Sequence, residues 1–108
     1  YVQGLTILGG DPFAPINQKP VYLALKEIRD RCPGKDFWAF TGYVYDQELL
    51  HSQLPYTLDL IRLLDVLVDG RFILAQKNPS LRFKGSANQR LIDIPKSLNQ
   101  NAVILWDE

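Results

Sequence analysis

The chain has 108 residues, of which 46% are hydrophobic and 22% are charged. These fractions are typical of one globular domain with a modest core. Lysine and arginine together number 12, as do aspartate and glutamate, so the formal net charge is zero. A neutral chain has no strong long-range field for a nucleic acid or an anionic membrane, and no apolar run approaches the ~18 residues of a membrane-spanning helix. We therefore expect a cytoplasmic protein that binds neither nucleic acid nor a membrane.

The first 70 residues predict alternating strands and helices. In chain order, we expect a strand over 4–8, a helix between Pro15 and Pro33, a second strand over 36–41, a helical stretch over 46–64 that Pro55 divides, and a third strand over 65–70. Apolar residues at helical spacing predict two helix faces that pack on the sheet, one formed by Val21, Leu25 and Ile28 and the other by Leu58, Ile61 and Leu64. This order predicts parallel strands with right-handed crossovers, so the fold class is α/β.

The pattern is less regular beyond Phe72. A polar loop spans residues 85–90, and the apolar runs over 91–94 and 102–106 are each compatible with a further strand. We therefore expect one domain over residues 1–94, followed by a tail over 95–108 that adds a strand at an edge.

The carboxyl ends of the three predicted parallel strands form a candidate binding site, because ligands of such sheets collect at this edge. The candidate residues are Gly9, Gly10, Asp11, Thr41, Gly42 and Asp69. The glycine pair allows backbone amides to approach a ligand closely, and Asp11 offers an acceptor for an ammonium group. An ordinary strand-to-helix turn that Asp11 helps to cap explains the same residues, and Asp69 would then only close a turn through Gly70.

The loop over 85–90 concentrates amide, hydroxyl and guanidinium groups. Its candidate residues are Gly85, Ser86, Asn88, Gln89 and Arg90. Such groups can hold a carboxylate, a phosphate or the backbone of a partner protein. A loop that satisfies only its own hydrogen bonds is the alternative.

No catalytic residue or metal ligand is predicted within the chain. Cys32 is the single cysteine, and it cannot alone form a disulfide, a zinc site or an iron-sulfur site. His51 has no second ligand nearby in the sequence, so we expect a surface histidine. Phe37, Trp38 and Phe40 are interpreted as packing residues, because no basic residues interleave with them.

Five short blocks of the sequence, in this order and spacing, resemble the activating proteins of anaerobic ribonucleoside-triphosphate reductases, which are radical S-adenosylmethionine enzymes. The resemblance extends from Gly4 to about Ile94. The blocks are Gly4 to Pro12, Pro33-Gly34-Lys35, Trp38 to Tyr43, Asp65 to Phe72, and Gly85 to Arg90.

The resemblance implies a shortened (β/α) partial barrel, here truncated at its N-terminus. It also implies a [4Fe-4S] cluster on a CxxxCxxC loop that reduces S-adenosylmethionine, with an electron donor such as flavodoxin. The resulting 5′-deoxyadenosyl radical would take a hydrogen atom from a glycine of the large reductase subunit, leaving a stable glycyl radical.

The resemblance also implies roles for individual residues. Gly9-Gly10-Asp11 would bind the amino and carboxylate groups of S-adenosylmethionine, and Thr41 and Gly42 would line the same pocket. Asp69 would be the acidic residue at the third strand end. The loop from Gly85 to Arg90 would close the site or contact the reductase.

This sequence departs from the family pattern because it contains no CxxxCxxC motif. In the family that loop comes before the first strand, so we expect a truncated activase that is inactive by itself. The alternative is a diverged module that binds a glycyl-radical enzyme or S-adenosylmethionine without radical chemistry.

Overall fold

The computed structural model describes residues 4–7, 11–31, 34, 36–71 and 88–106. Its elements are β1 (Gly4–Ile7), α1 (Pro15–Arg31), β2 (Asp36–Phe40), a π-helical turn (Tyr45–Leu49), α2 (Thr57–Arg62), β3 (Val66–Asp69), β4 (Arg90–Asp93) and α3 (Ile94–Gln100). None of the helices within these residues is long and apolar enough to cross a membrane.

The four strands form one sheet in the order β1-β2-β3-β4. β1, β2 and β3 are parallel, as the sequence predicts, and β4 is antiparallel to β3. All four residues of β3 are buried, as expected of an apolar run at the centre of a sheet. The α/β class is therefore confirmed. The described residues form no barrel, and the partial barrel stays a prediction.

One face of the sheet carries most of the core. Phe37 and Ala39 of β2, Leu67 of β3 and Ile92 of β4 are all fully buried in one apolar cluster with residues of the helices. Trp38 points to the opposite face, because successive strand residues alternate, and its ring meets Trp106 at 4.9 Å between centroids. These aromatic residues pack within the protein, as the sequence indicates.

The predicted helix faces are correct in part. In α1, Leu25 is buried, Val21 is half-buried and Ile28 is 38% exposed. Pro55 divides the second helical stretch as predicted.

The apolar face of α2 differs from the prediction at one position. Leu60 and Ile61 of α2, and Leu64 two residues beyond its end, are buried, whereas Leu58 is 42% exposed. At 3.6 residues per turn, Leu58 lies roughly a third of a turn from the centre of the buried side. Placing Leu58 on the apolar face was therefore wrong.

Helix α3 is an element that the sequence pattern did not predict. Asp93 caps it by accepting a hydrogen bond from the Lys96 amide at 3.0 Å, Pro95 stands in its first turn, and Asn101 ends it in the left-handed conformation. The strand expected over 102–106 is reduced to a single bridge between Ile92 and Leu105. The division at residue 94 stays a prediction.

Candidate functional site

Asp11 links the turn after β1 to the end of β2. Its carboxylate accepts hydrogen bonds from the Phe13 amide at 2.9 Å, the Thr41 hydroxyl at 2.8 and 2.9 Å, and the Gly42 amide at 2.9 Å. The structure thus brings together three of the predicted site residues, Asp11, Thr41 and Gly42. Gly9 and Gly10 lie outside the described residues. The Asp11 carboxylate both stabilises its own turn and bridges to the neighbouring strand.

Within the part of the chain that the structure describes, the hydrogen-bond donors to Asp11 are all neutral. None of the ion pairs between described residues includes Asp11, which is only partly buried. Asp11 therefore favours a cationic group at this corner of the site.

Polar side chains of α1 hold the Asp11 turn in place. Asn17 donates its side-chain amide to the Asp11 carbonyl at 2.9 Å, and buried Gln18 donates to the Phe13 carbonyl at 2.8 Å. Gln18 also accepts a hydrogen bond from the Thr57 hydroxyl at 2.9 Å, which ties the turn to α2. The sequence analysis did not identify this support, because its residues belong to three separate segments.

The ends of β2 and β3 are joined through Tyr43 and Gly70. The Gly70 amide donates to the Tyr43 carbonyl at 3.0 Å, and the Thr41 amide donates to the Val68 carbonyl at 2.9 Å. Gly70 has a φ of 96°, a conformation that side chains rarely adopt. The three strand ends therefore meet along one edge, which we call the rim (Asp11 to Phe13, Thr41 to Tyr43, and Asp69-Gly70).

Asp69 is buried, with 1% of its surface exposed, and it is paired with Arg90. The Arg90 Nε lies 3.0 Å from Asp69 Oδ1, and one terminal nitrogen lies 2.6 Å from Oδ2. The Tyr45 amide donates a third hydrogen bond to Asp69, at 2.7 Å. Both residues were predicted as site residues, and the structure shows that they bind each other through two hydrogen bonds.

The described part of the polar loop closes over the end of β3. Asn88 donates its side-chain amide to the Arg71 carbonyl at 2.8 Å, and Gln89 donates to the Gly70 carbonyl at 3.0 Å. Gly85 and Ser86 lie outside the described residues. We call the segment Asn88–Arg90, with its bonds to Asp69, Gly70 and Arg71, the clasp.

Asp46, at the start of the π-helical turn, was missed by the sequence analysis. Its Oδ1 lies 2.8 Å from the same terminal nitrogen of Arg90 that contacts Asp69. The hydrogen bond from Arg90 is the largest cause that lowers the pKa of Asp46 below its ordinary value. In Arg90, by contrast, the hydrogen bond to Asp69 raises the pKa above its ordinary value, and the guanidinium remains charged. No local motif marks Asp46, because its partner lies 44 residues away in the sequence.

Two other titratable groups adjoin the rim. Burial and then the charge of Asp46 raise the pKa of the Tyr45 hydroxyl. Glu48 accepts a hydrogen bond from the Val44 amide at 2.9 Å and lies 3.7 Å from the exposed guanidinium of Arg71. His51 is exposed, as the sequence predicts.

A cavity of about 250 Å³ lies beside the Asp11 corner. Phe13 and Tyr43 are rim residues that line it, together with Leu49 and Leu54, and Glu48 and Gln18 contribute polar groups. An apolar wall with a few polar groups is typical of small-molecule sites. The volume of this cavity is below the ~300–1,000 Å³ that is usual for such sites, and Asp11, Thr41 and Gly42 do not line it.

The residues of this chain do not fit an iron-sulfur cluster. The described residues contain no group of three or more histidine, cysteine, aspartate or glutamate side chains with the geometry of a metal site. The chain has one cysteine, which lies outside those residues, whereas such a cluster requires several thiolates. Three thiolates cannot come from these 108 residues.

Comparison with known proteins identifies the family. A family model described as a 4Fe-4S single cluster domain matches residues 1–92. The anaerobic ribonucleoside-triphosphate reductase-activating protein of Haemophilus influenzae is 43% identical over 89 residues, which are 81% of this chain and 53% of that protein. The protein of the same name from Escherichia coli K12 is 44% identical over 87 residues, which are 81% of this chain and 53% of that protein. The one from Enterobacteria phage T4 is 36% identical over 93 residues, which are 84% of this chain and 53% of that protein.

The chain thus spans about half the length of the curated relatives that it matches. No solved structure gives a significant match. The resemblance seen in the sequence is confirmed by these relatives. The chain belongs to the family of 4Fe-4S single cluster domains, and it is similar to the activating proteins of anaerobic ribonucleoside-triphosphate reductases.

Proposed function

We propose that this chain is the S-adenosylmethionine-binding part of a radical activase for an anaerobic ribonucleoside-triphosphate reductase. The whole activase would generate a glycyl radical on the large reductase subunit by way of a 5′-deoxyadenosyl radical, with a donor such as flavodoxin supplying the electron. The names of the relatives and the matching cluster family support this proposal. The partial-barrel fold is part of the same proposal.

The observation that carries the proposal is the charge of Asp11 at the rim. S-adenosylmethionine has an ammonium group, a sulfonium centre and a carboxylate. Among the described residues, Asp11 receives hydrogen bonds from neutral donors only, and it lies at the edge of a parallel sheet where ligands collect. An ammonium group beside Asp11 would gain a charge-assisted hydrogen bond.

The neighbouring rim residues would complete the pocket. Thr41 and Gly42 orient the Asp11 carboxylate, and an added Cβ at Gly42 would contact Asp11 Oδ2 at 3.7 Å. Gly9 and Gly10 would present backbone amides to the ligand carboxylate, as the resemblance implies. Asp69 would contribute indirectly, since Arg90 already occupies its carboxylate.

The cluster itself lies outside what these residues provide, so no step of the proposal passes through it here. The chain's own part is to bind and orient S-adenosylmethionine. We expect the 108 residues to be inactive in the radical step.

Titration calorimetry of the chain with S-adenosylmethionine tests the proposal. Asp11→Asn keeps the size of the side chain and removes its charge, so we expect an affinity lower by about tenfold or more. Asp59→Asn is the matched control, because it removes a carboxylate whose one ion pair among the described residues is the 3.6 Å contact with Arg62 on α2. Thermal unfolding of both variants shows whether the Asp11 turn still folds.

Two outcomes would overturn the proposal. The first is that the wild-type chain shows no heat of binding with S-adenosylmethionine. The second is that Asp11→Asn binds S-adenosylmethionine as tightly as Asp59→Asn does. A loss of stability in Asp11→Asn with unchanged affinity would assign Asp11 to the turn alone, which is the alternative interpretation of the sequence.

The single cysteine favours a second candidate, a module that binds S-adenosylmethionine or the reductase without radical chemistry. Anaerobic loading of the same samples with iron and sulfide, followed by reduction with dithionite, tests both candidates at once. The module, and equally the isolated part of an activase, would form no 5′-deoxyadenosine. Product formation by the chain alone would contradict both.

A further inference from the structure

One guanidinium connects three separate segments at the rim. Arg90 begins β4, Asp69 ends β3, and Asp46 is the second residue of the π-helical turn. The Nε and one terminal nitrogen of Arg90 bind the two oxygens of Asp69, and the same terminal nitrogen binds Asp46 at 2.8 Å. A terminal guanidinium nitrogen carries two hydrogens, so both contacts are satisfied at once.

The two carboxylates have different surroundings. The Asp69 side chain is 1% exposed and requires a cation, because a buried unpaired charge is costly. The Asp46 side chain is 39% exposed and would be well solvated without Arg90. Asp46 is therefore not needed to neutralise a buried charge, and its contact adds a further constraint on a guanidinium that Asp69 already holds through two hydrogen bonds.

The position of the Arg90 side chain affects the hydrogen bonds of the clasp. Asn88 and Gln89 precede Arg90 directly and donate to the carbonyls of Arg71 and Gly70. On the other side, Asp69 holds the Tyr45 amide, and Gly70 holds the Tyr43 carbonyl. A shift of Arg90 would therefore loosen the clasp and the segment Tyr43–Tyr45 together.

The segment Tyr43–Tyr45 continues directly from the Asp11 corner. The Tyr43 amide donates to the Thr41 hydroxyl at 3.2 Å, and that hydroxyl donates to Asp11. We propose that Asp46 is a positioning residue, which acts through Arg90 to hold the clasp and Tyr43–Tyr45 in place, and so sets the affinity of the rim without touching the ligand. The part that concerns affinity depends on the proposed function.

Amide hydrogen exchange of the full chain tests the positioning without any ligand. In Asp46→Asn we expect exchange at the Tyr45 and Gly70 amides to be faster by about two- to fivefold, the range for a partly exposed ion pair. Asp46→Ala should have the larger effect, because it removes the acceptor as well as the charge. The Asp65 amide donates to the Phe37 carbonyl at the other end of the strands, so its exchange rate should be unchanged.

The controls separate positioning from a general loss of stability. Asp59→Asn makes the same change of charge on α2 and should leave both rim amides unchanged. An equal acceleration at Asp65 would mean that Asp46 only stabilises the whole fold, and this would overturn the proposal. Rim amides that exchange in Asp46→Asn as they do in Asp59→Asn would overturn it too.

Calorimetry then distinguishes this proposal from the proposed function. If the wild-type chain binds S-adenosylmethionine, Asp46→Asn should weaken that binding by a similar two- to fivefold. If the wild-type chain does not bind, the proposed function fails, and hydrogen exchange alone still decides whether Asp46 positions the clasp. Wild-type binding that Asp46→Asn leaves unchanged, despite faster exchange, would overturn the effect on the rim.

Discussion

Replacing Arg90 by methionine should destabilise the fold far more than an ordinary surface arginine would. Methionine keeps much of the aliphatic stem and removes the guanidinium, so Asp69, which is 1% exposed, loses its arginine partner. Removal of one partner from a buried ion pair costs about 3–5 kcal/mol. Arg90 is itself 32% exposed and the Tyr45 amide still binds Asp69, so we expect the lower end, about 3 kcal/mol.

Urea unfolding followed by the fluorescence of Trp38 and Trp106 measures this loss. Arg62→Met is the matched control, because Arg62 is 61% exposed and lies 3.6 Å from Asp59, so its loss should cost at most about 1 kcal/mol. Adding Asp69→Asn to Arg90→Met removes the stranded charge and should recover part of the stability. The reasoning is refuted if Arg90→Met costs no more than Arg62→Met, or if the double variant is as unstable as the sum of the two single variants.

Two further predictions concern the rim and the residue Tyr45 beside it. Gly70→Ala should lower the free energy of unfolding by about 1–2 kcal/mol, because Gly70 has a φ of 96°. Gly42→Ala should unfold nearly like the wild type in urea, because its Cβ would meet Arg71 and Asp11 at ordinary contact distances of 3.6 and 3.7 Å. Burial raises the pKa of Tyr45, so the contribution of its neutral hydroxyl to stability is fully present below the ordinary pKa of 10.0 and is lost as the pH rises through the pKa of the folded state. Between pH 9 and 11, thermal unfolding should therefore show a smaller loss of stability for Tyr45→Phe than for the wild type, and equal losses would contradict this.

The sequence predicts the central elements well because local signals mark their ends. Pro33-Gly34 follows α1, Pro55 separates the π-helical turn from α2, and Gly70 follows β3. Helix α3 had comparable signals in Asp93, Pro95 and Asn101, but the apolar run over 91–94 was interpreted only as a strand. The π-helical turn itself has no distinctive pattern.

The sequence also predicts which residues lie at the rim, but it does not reveal their hydrogen-bond partners. Parallel strand order is enough to place Asp11, Thr41 and Asp69 at one edge of the sheet. It does not show that Asp11 bonds Thr41, 30 residues away, or that Asp69 bonds Arg90, 21 residues away. Such partners depend on tertiary packing, and therefore Asp46 was missed entirely.

The two acidic residues of the rim differ in the charge of their partners, and this difference separates their roles. Asp69 is neutralised by Arg90 and is almost fully buried, so it offers little attraction to a further cation. Asp11 is partly exposed and receives hydrogen bonds only from neutral groups, so its charge remains uncompensated among the described residues. A cationic ligand at the rim would therefore bind at the Asp11 corner, and substitutions at Asp69 would affect it through the clasp.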